Sequence, residues 1–313
     1  MARRIGSRCH CGHKPVKLSA LVPRPRFLPH FHAWETLREI RVAVTGQRGV
    51  LGSLLTQRLR ENGIHVDVFP GDVSDIADIT QWIRLSRAEV MFHLAAIVPL
   101  AKVEADPIAA MRVNATALVA IQEAVAKFVP QSWFFLGSTS HVYSAVTHVH
   151  NGYRRLSEAS ATEPLSLYGA TKLAGERIMV PLARHFGTQL CVGRIFSYFH
   201  EQQSSSFLIP GLISRINSAH DESVIEVRDA DCVRDFLHAD MVIDAILFLC
   251  ARRAVMTVNI GSGQATSVGA IANRLRALSS KNISLRYLPA ATPNGLVADT
   301  KALRCIISAG LDK

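Results

Sequence analysis

The feature that most constrains the fold is a glycine-rich turn between two apolar segments. Residues 40–45 form a short run rich in β-branched side chains, which is typical of a buried strand. Three glycines follow at three-residue spacing, at Gly46, Gly49 and Gly52. Residues 53–59 then carry apolar side chains at helical spacing. Strand, turn and helix in this order predict the first unit of a dinucleotide-binding sheet.

Each glycine has a separate purpose in such a unit. The first permits the tight turn, the second lets the backbone approach a pyrophosphate, and the third lets the helix pack on the strand. The helix N-terminus adds free N–H groups and a positive dipole end. We therefore predict that the cofactor is bound by Gly46, Gln47, Arg48, Gly49, Val50, Leu51 and Gly52.

Short apolar segments and longer helical patterns alternate beyond this unit. Strands are predicted at 65–69, 89–94, 132–136 and 189–193, and helices at 75–87, 107–128 and 167–186. This alternation predicts an α/β fold with a doubly wound parallel sheet. We expect a basic arm at 1–38, a dinucleotide-binding domain at 39–195 and a mainly substrate-binding lobe at 196–313, from which segments return to the first domain.

The net charge of +10 is concentrated at the N-terminus. Residues 1–41 hold nine Lys or Arg and two Glu, which accounts for +7 of it. The rest of the chain is nearly balanced, so the charge gives no reason to expect a nucleic-acid partner. No uncharged apolar run reaches the ~18 residues of a membrane span, and we predict no membrane association.

The arm is expected to be poorly ordered, since it contains Pro23, Pro25 and Pro29 and shows no sustained period. Its Arg-rich composition also fits a transit peptide or a start codon placed too far upstream. We expect its deletion to leave a soluble, active protein.

Cysteine and histidine usage gives no metal site. The segment Cys9-His10-Cys11-Gly12-His13 lacks the second ligand pair of a structural zinc site, so we predict no metal. The remaining cysteines are scattered, which is typical of reduced residues in a cytoplasmic protein.

Tyr168 and Lys172 lie four residues apart in a predicted helix, so they would share one helical face. A phenol has a pKa of ~10, too high for efficient proton transfer at neutral pH. An ammonium group one turn away stabilises the phenolate and lowers that pKa. The hydroxyls of Ser138 and Thr139, after the fourth strand, would hold a substrate oxygen in line. The spacing therefore indicates an acid–base pair rather than two surface residues.

These motifs together resemble the extended short-chain dehydrogenase/reductase family of nucleotide-sugar epimerases, dehydratases and reductases. The resemblance is carried by T-G-x-x-G-x-x-G at 45–52, H-L-A-A at 93–96, Asn114, Ser138/Thr139 and Y-x-x-x-K at 168–172. It continues in R-D-F-L-H-A-D at 234–240, N-I-G-S-G at 259–263 and A-D-T-K at 298–301. It implies a Rossmann-like fold with a smaller C-terminal substrate-binding lobe, an NAD(P) cofactor, a nucleotide-sugar substrate and a homodimer.

The resemblance also implies a role for each matching residue. Tyr168 would be the general acid/base, Lys172 would tune it and bind the nicotinamide ribose, and Thr139 would orient the substrate. Asp72 and Val73 resemble the element that contacts adenine. Further cofactor contacts are expected from Leu94, Ala95, Ala96, Asn114 and Ser138, and substrate contacts from Ser197 and Arg234.

Two departures from the family pattern bear on the reaction. Ser140 and His141 stand where the dehydratases carry an Asp-Glu pair, so dehydration is not expected. Ser197 replaces an asparagine that meets the substrate in the family, and the Gly-Pro that follows it is missing. The substrate should therefore differ from the common ones.

Three functions remain open at this point. The first is an NAD(P)-dependent 4-ketosugar reductase, or a 4-epimerase that holds NAD tightly. The second is a non-catalytic dinucleotide-binding protein, which would normally have lost Tyr168 and Lys172. The third is a dehydrogenase of steroids or other non-sugar alcohols. A dehydrogenase of apolar alcohols would not need Arg234 to bind a diphosphate. The alternative role of Arg234 is a structural ion pair with Asp235 or Asp240.

The predicted second strand bears on the choice of cofactor. It ends at 69–71 without the acidic residue that binds the ribose 2′-hydroxyl in NAD-specific proteins. Arg48 stands just before the second glycine, as in the GDP-fucose synthase branch of the family, and would pair with a 2′-phosphate. The alternative is a solvated arginine at a helix start. We therefore favour NADP(H) over NAD(H), and a reductase over an epimerase.

Overall fold

The structure, a computed structural model, describes residue 21 and residues 38–147, 154–292 and 294–308. Its strands there are β1 (Val42–Thr45), β2 (Val66–Val68), β3 (Val90–His93), β4 (Trp133–Thr139), β5 (Val146–Thr147), β6 (Gln189–Ile195), β7 (Ser197–Phe199), β8 (Val224–Val227), β9 (Val233–His238), β10 (Thr257–Ile260), β11 (Ala265–Ser267), β12 (Ser284–Tyr287) and β13 (Asn294–Leu296).

Its helices in the same ranges are α1 (Val50–Glu61), α2 (Ile76–Ser86), α3 (Leu100–Ala105), α4 (Pro107–Met111), α5 (Ala117–Phe128), α6 (Leu167–Phe186), α7 (Leu208–Ser218), α8 (Ala239–Ala251), α9 (Val268–Leu278) and α10 (Lys301–Ser308). A π-helical turn, Arg112–Thr116, joins α4 to α5, and a 3-10 turn, Ser140–Val142, follows β4.

The main sheet has six parallel strands in the order β10-β6-β4-β3-β1-β2. The order in which strands are added to the sheet reverses at β1. Strand β2 pairs with β1 on one side, and β3 pairs with it on the other. Ligands of open α/β sheets bind beyond the carboxyl ends of the strands at such a switch point. The glycine turn follows β1 and the H-L-A-A segment begins at the end of β3, so both lie there. The doubly wound parallel fold predicted from the sequence is confirmed.

Helices cover both faces of this sheet. On one face α1 and α8 bury Leu55 and Ile246. On the other face α2, α5 and α6 bury Ile83, Ile121 and Met179. The burial of apolar residues against both faces accounts for the nearly continuous apolar character of the strands.

The predicted single helix at 107–128 is continuous but not uniform, because the π-helical turn lies inside it. By length and composition the stretch Pro107–Phe128 would suffice to cross a membrane, but half of its apolar window is buried inside the protein. Its apolar face packs against α2 and α6. The packing explains the composition of this helix.

The C-terminal part of the chain builds a smaller sheet and its own core. The strand order is β11-β9-β13-β5, with β7 also paired to β9, and β12 pairs with β8. Helices α7 and α9 pack in this core through Leu212 and Ile271. Two later segments return to the main sheet, because β10 is its edge strand and α8 lies on its face.

Leu21 is the one described residue ahead of Arg38, and it belongs to this second core. It is 2% exposed and packs in the same cluster as Phe199 and Leu212. The guanidinium of Arg274 also donates to its carbonyl oxygen at 3.4 Å. The arm therefore contributes a buried side chain, which alters the expectation that its deletion is neutral.

We predict that deleting residues 1–38 lowers the melting temperature by on the order of 5 °C. Burying a leucine is worth ~1.5–3 kcal/mol, and 1 kcal/mol shifts the midpoint by about 2–4 °C in a domain of this size. Thermal unfolding of the full chain, the 1–38 deletion and a Leu21→Asp variant tests this, with a 1–15 deletion as control. Equal midpoints for all four proteins would contradict the buried position of Leu21.

Candidate active site

The glycine turn leaves no space for side chains at two of its positions. Gly46 has φ +80°, and a Cβ there would lie 2.4 Å from the Ala95 nitrogen. A Cβ on Gly52 would lie 2.1 Å from the Gly46 carbonyl oxygen. The turn is closed by a hydrogen bond from the Gly49 N–H to that same oxygen at 2.9 Å. Gly49 also caps α1, so the first N–H groups of the helix face an open backbone cradle that fits a pyrophosphate.

The adenosine end of the predicted cofactor site is formed by the segment after β2. Arg48 Nη2 lies 3.5 Å from the Gly71 carbonyl oxygen, so the guanidinium reaches this segment. Asp72 accepts hydrogen bonds from the N–H and the hydroxyl of Ser74, at 2.9 and 2.8 Å. These bonds, with a smaller contribution from Arg48, lower the pKa of Asp72. The side chain of Val73 is buried in the core, which leaves its backbone for any ligand contact.

The predicted catalytic residues meet at the end of β4 and the start of α6. Ser166 caps α6 by accepting the Gly169 N–H at 3.1 Å, which places Tyr168 and Lys172 in the first two turns. The hydroxyl of Thr139, the last residue of β4, accepts the His141 N–H at 3.3 Å and lies close enough to the Tyr168 hydroxyl to lower its pKa. The structure therefore brings together the three residues that the sequence assigned to acid–base chemistry.

The pKa of Tyr168 differs from the expectation. Burial raises the pKa of Tyr168 above its usual value, although the hydrogen bond with Thr139 opposes that shift. Burial also lowers the pKa of Lys172, which is 4% exposed, to about 8. Lowering of the tyrosine pKa by Lys172 was expected, but burial dominates the Tyr168 pKa and the opposing effect comes from Thr139.

Glu176, which the sequence analysis did not single out, lies behind Lys172 on the same face of α6. Its buried carboxylate accepts a hydrogen bond from Ser138 and a bidentate pair from Arg194, with a shortest N–O distance of 2.7 Å. Glu176 opposes the lowering of the Lys172 pKa. The i, i+4 spacing of Lys172 and Glu176 was a signal in the sequence, whereas pairing with Arg194 depends on the neighbouring strands β4 and β6.

Asn114 holds a loop rather than an open ligand position. Its carboxamide accepts the Ile97 N–H at 2.8 Å and donates to the Ile97 carbonyl and to Thr171 Oγ1, both at 3.0 Å. The residue is 1% exposed. A cofactor contact was predicted for Asn114, but its polar atoms are engaged in fixing the loop after β3 against α6. We therefore assign it a positioning role.

His141 lies beside Tyr168, and Arg234 lies near His141. The imidazole of His141 packs edge-on against the Tyr168 ring, with 5.8 Å between ring centroids. Burial and the nearby Arg234 lower the pKa of His141 to about 4, so it is neutral at physiological pH. The hydroxyl of Tyr198 also lies close enough to raise the pKa of Tyr168. Of these residues only Arg234 was predicted as part of the site.

The alternative that Arg234 serves a structural ion pair does not hold. Asp235 accepts the backbone N–H groups of Ser262 and Gly263, each at 2.8 Å. Asp240 lies 3.5 Å from Arg58. Arg234 donates to the carbonyl oxygens of residues 233 and 294, and forms no salt bridge with any residue that the structure describes. Its guanidinium keeps N–H groups for an anionic ligand.

Ser197, the other predicted substrate residue, begins β7 and pairs with Phe236 of β9. It is half-buried and precedes Tyr198, which lies close enough to Tyr168 to affect its pKa.

A glycine cradle at the sheet switch point, a threonine at the end of β4 and a tyrosine–lysine pair on α6 form the arrangement expected of a dinucleotide-dependent enzyme site. The sequence profile of the NAD dependent epimerase/dehydratase family matches residues 42–261. The chain belongs to this family, which confirms the resemblance seen in its motifs.

Two characterised relatives show the range of reactions among similar proteins. The dTDP-4-dehydrorhamnose reductase of Escherichia coli is 30% identical over 146 residues, which cover 45% of this chain and 46% of the reductase. That match spans about half the length of the relative. The dTDP-L-rhamnose 4-epimerase of Burkholderia thailandensis is 25% identical over 283 residues, covering 73% of this chain and 78% of the epimerase.

Solved structures share the fold at lower identity. The Thermus thermophilus UDP-glucose 4-epimerase in complex with NAD superposes with a TM-score of 0.74 at 19% identity, covering 85% of this chain and 92% of that one. The dTDP-4-dehydrorhamnose reductase of Bacillus anthracis in complex with NADP gives 0.74 at 18% identity, also over 85% of this chain. Neighbours of this fold thus bind either NAD or NADP.

Proposed function

We propose that this chain is an NADP(H)-dependent reductase of a nucleotide-linked 4-ketosugar. The observation that carries the proposal is the contact of Thr139 with Tyr168, one helical turn from the buried Lys172. The glycine cradle follows β1, which is separated from β4 by β3 alone. Sequence similarity to the E. coli reductase, over 45% of this chain, supports the assignment.

The residues would divide the work of carbonyl reduction between them. The bound nicotinamide would supply the hydride. Tyr168 would give its hydroxyl proton to the oxygen that develops negative charge, and its raised pKa keeps that proton in place across the neutral range. Thr139 would hold the same oxygen in line by a second hydrogen bond. Lys172 would hold a ribose hydroxyl, and its positive charge would favour the tyrosinate left after proton transfer.

Recognition of the substrate would fall to Arg234 and His141. Arg234 offers a cation to the diphosphate, because it forms no salt bridge with the described residues. His141, as a neutral imidazole beside Tyr168, would exchange hydrogen bonds with sugar hydroxyls. A histidine in this place gives no carboxylate pair for elimination, which argues against a dehydratase.

A nucleotide-sugar 4-epimerase is the second candidate. A relative that matches over most of the chain, from B. thailandensis, is an epimerase. An epimerase needs the same tyrosine and lysine but recycles a tightly held NAD. A non-catalytic binding protein is disfavoured, because Thr139, Tyr168 and Lys172 are all present and grouped together.

One assay distinguishes these functions. The purified full chain is incubated with UDP-, dTDP- and GDP-linked 4-ketosugars and NADPH or NADH, and cofactor absorbance at 340 nm is followed. We expect NADPH consumption with at least one 4-ketosugar. Copurified NAD, with interconversion of nucleotide sugars and no net cofactor consumption, would support the epimerase. No turnover of any nucleotide sugar by either route would leave the proposal without support.

We predict that Arg48→Ala weakens NADPH binding roughly tenfold while leaving NADH affinity nearly unchanged. A charge-assisted hydrogen bond to a 2′-phosphate is worth ~1.5–3 kcal/mol, and only NADPH carries that phosphate. Fluorescence titration of both reduced cofactors into wild type and variant measures the effect, with Arg60→Ala on the exposed face of α1 as control. Equal loss of both cofactors would contradict a role in 2′-phosphate recognition.

We also expect a homodimer, which light scattering of the purified chain would test.

A further inference from the structure

A second cluster of reactive side chains lies at the carboxyl ends of β7 and β9, apart from the acid–base residues. His200 and Glu201 follow β7, and His238 ends β9. The two strands are paired with Phe199 opposite His238, which brings these distant segments together. His200 Nε2 lies 3.5 Å from Glu201 Oε2, and His238 Nε2 lies 3.7 Å from the same oxygen.

The Nε2 atom of His238 is a buried polar atom without a hydrogen-bond partner among the described residues. The side chain of His238 as a whole is 5% exposed. Leaving such an atom unsatisfied costs about 1–3 kcal/mol. The Nε2 atom faces Glu201, and His200 and His238 stack edge-on with ring centroids 5.4 Å apart. The unpartnered nitrogen is thus aimed into the cluster.

We propose that His200, Glu201 and His238 form a zinc site. Zinc binds imidazole nitrogen and carboxylate oxygen at ~2.0–2.2 Å in tetrahedral geometry, which places ligand atoms roughly 3.4 Å from one another. The measured separations of 3.5 and 3.7 Å are close to that value, and the three ligand atoms all lie within 4.8 Å. Two imidazoles and one carboxylate leave a fourth position for water.

Coordination through Nε2 requires each imidazole to carry its proton on Nδ1. At His238 the Nδ1 atom accepts the Asp240 N–H at 3.3 Å, so this contact must be given up when zinc binds. Asp240 Oδ2, which lies 3.3 Å from the same Nδ1, would then accept the proton. At His200 the Nδ1 atom accepts the Gln202 N–H at 3.1 Å, so this contact must break when zinc binds. Glu201 and Gln202 are exposed residues of a turn, which makes such a local rearrangement inexpensive.

The location gives the site a structural role. Gln202 lies next to α1, where its Oε1 accepts a hydrogen bond from Ser53 Oγ at 3.5 Å. A metal held by His200, Glu201 and His238 would fasten the turn after β7 to β9, beside the helix that begins at the glycine cradle. The proposal departs from the sequence-based expectation of no metal, because its ligands come from two segments far apart in the chain.

The test uses the full chain with Cys9→Ser and Cys11→Ser, so that the metal-capable segment of the arm does not contribute. Protein stripped with a chelator is titrated with Zn²⁺ by calorimetry, and melting temperatures are recorded with and without the ion. We expect one equivalent of zinc and a higher midpoint, and Co²⁺ should give the visible absorption of a tetrahedral site.

Two variants make the result specific. His200→Gln and Glu201→Gln should each weaken zinc binding by at least tenfold and remove the gain in melting temperature. His220→Gln, an exposed histidine of the same lobe, serves as the matched control. His238 is left intact because it caps α8 by accepting the Asp240 N–H. Absence of a zinc-dependent shift, or equal affinity in wild type and both variants, would overturn the proposal.

Discussion

Replacing Tyr168 by phenylalanine should lower kcat by ~10²–10⁴-fold while leaving the fold and cofactor affinity unchanged. The substitution removes only the oxygen that carries the transferred proton. The ring remains to fill the same space beside His141 and in the small apolar cluster with Val103 and Ala110. The loss should therefore fall on kcat rather than on stability.

The measurement is steady-state kinetics on the substrate found in the cofactor assay, with NADPH titration and thermal unfolding of the same samples. Tyr287→Phe provides a matched control, because that tyrosine is exposed in the C-terminal lobe. If Tyr168→Phe retained near wild-type kcat, proton transfer would have to be assigned to another group.

Replacing Glu176 by glutamine should lower the free energy of unfolding by about 3 kcal/mol, because it leaves a buried guanidinium without its counter-charge. Arg194 would keep the carbonyl oxygen of Glu158 and the hydroxyl of Tyr143, both at 3.0 Å, so we expect the lower end of the usual range. Lys172 would also lose the carboxylate that favours its protonated form.

Urea denaturation of wild type and Glu176→Gln measures this difference. Glu89→Gln is the control, because Glu89 pairs with Arg41 at 3.4 Å in an exposed ion pair. Exposed pairs contribute ~0–1 kcal/mol, so this control should unfold nearly like wild type. Similar unfolding free energies for both variants would show that the buried pair is not a main support of the site.

The order of strands and helices followed from the sequence because it depends on local patterns. Period-two and period-3.6 apolar spacing, with glycines at fixed offsets, placed β1, α1 and α6 within a few residues of where they lie. The clash at Gly52 is equally local, since it arises with Gly46 and Gln47 of the same turn, whereas the clash at Gly46 is with the backbone of Leu94 and Ala95 after β3. Tyr168 and Lys172 were identifiable because four residues are one helical turn.

The tertiary structure decided which distant side chains meet. Glu176 pairs with Arg194 because α6 crosses β6, and the clamp of Asn114 on residue 97 depends on a π-helical turn that periodicity does not reveal. Burial set the pKa of Lys172 and of Tyr168, since desolvation depends on what surrounds a group rather than on its neighbours in sequence. The cluster of His200, Glu201 and His238 exists only because β7 pairs with β9.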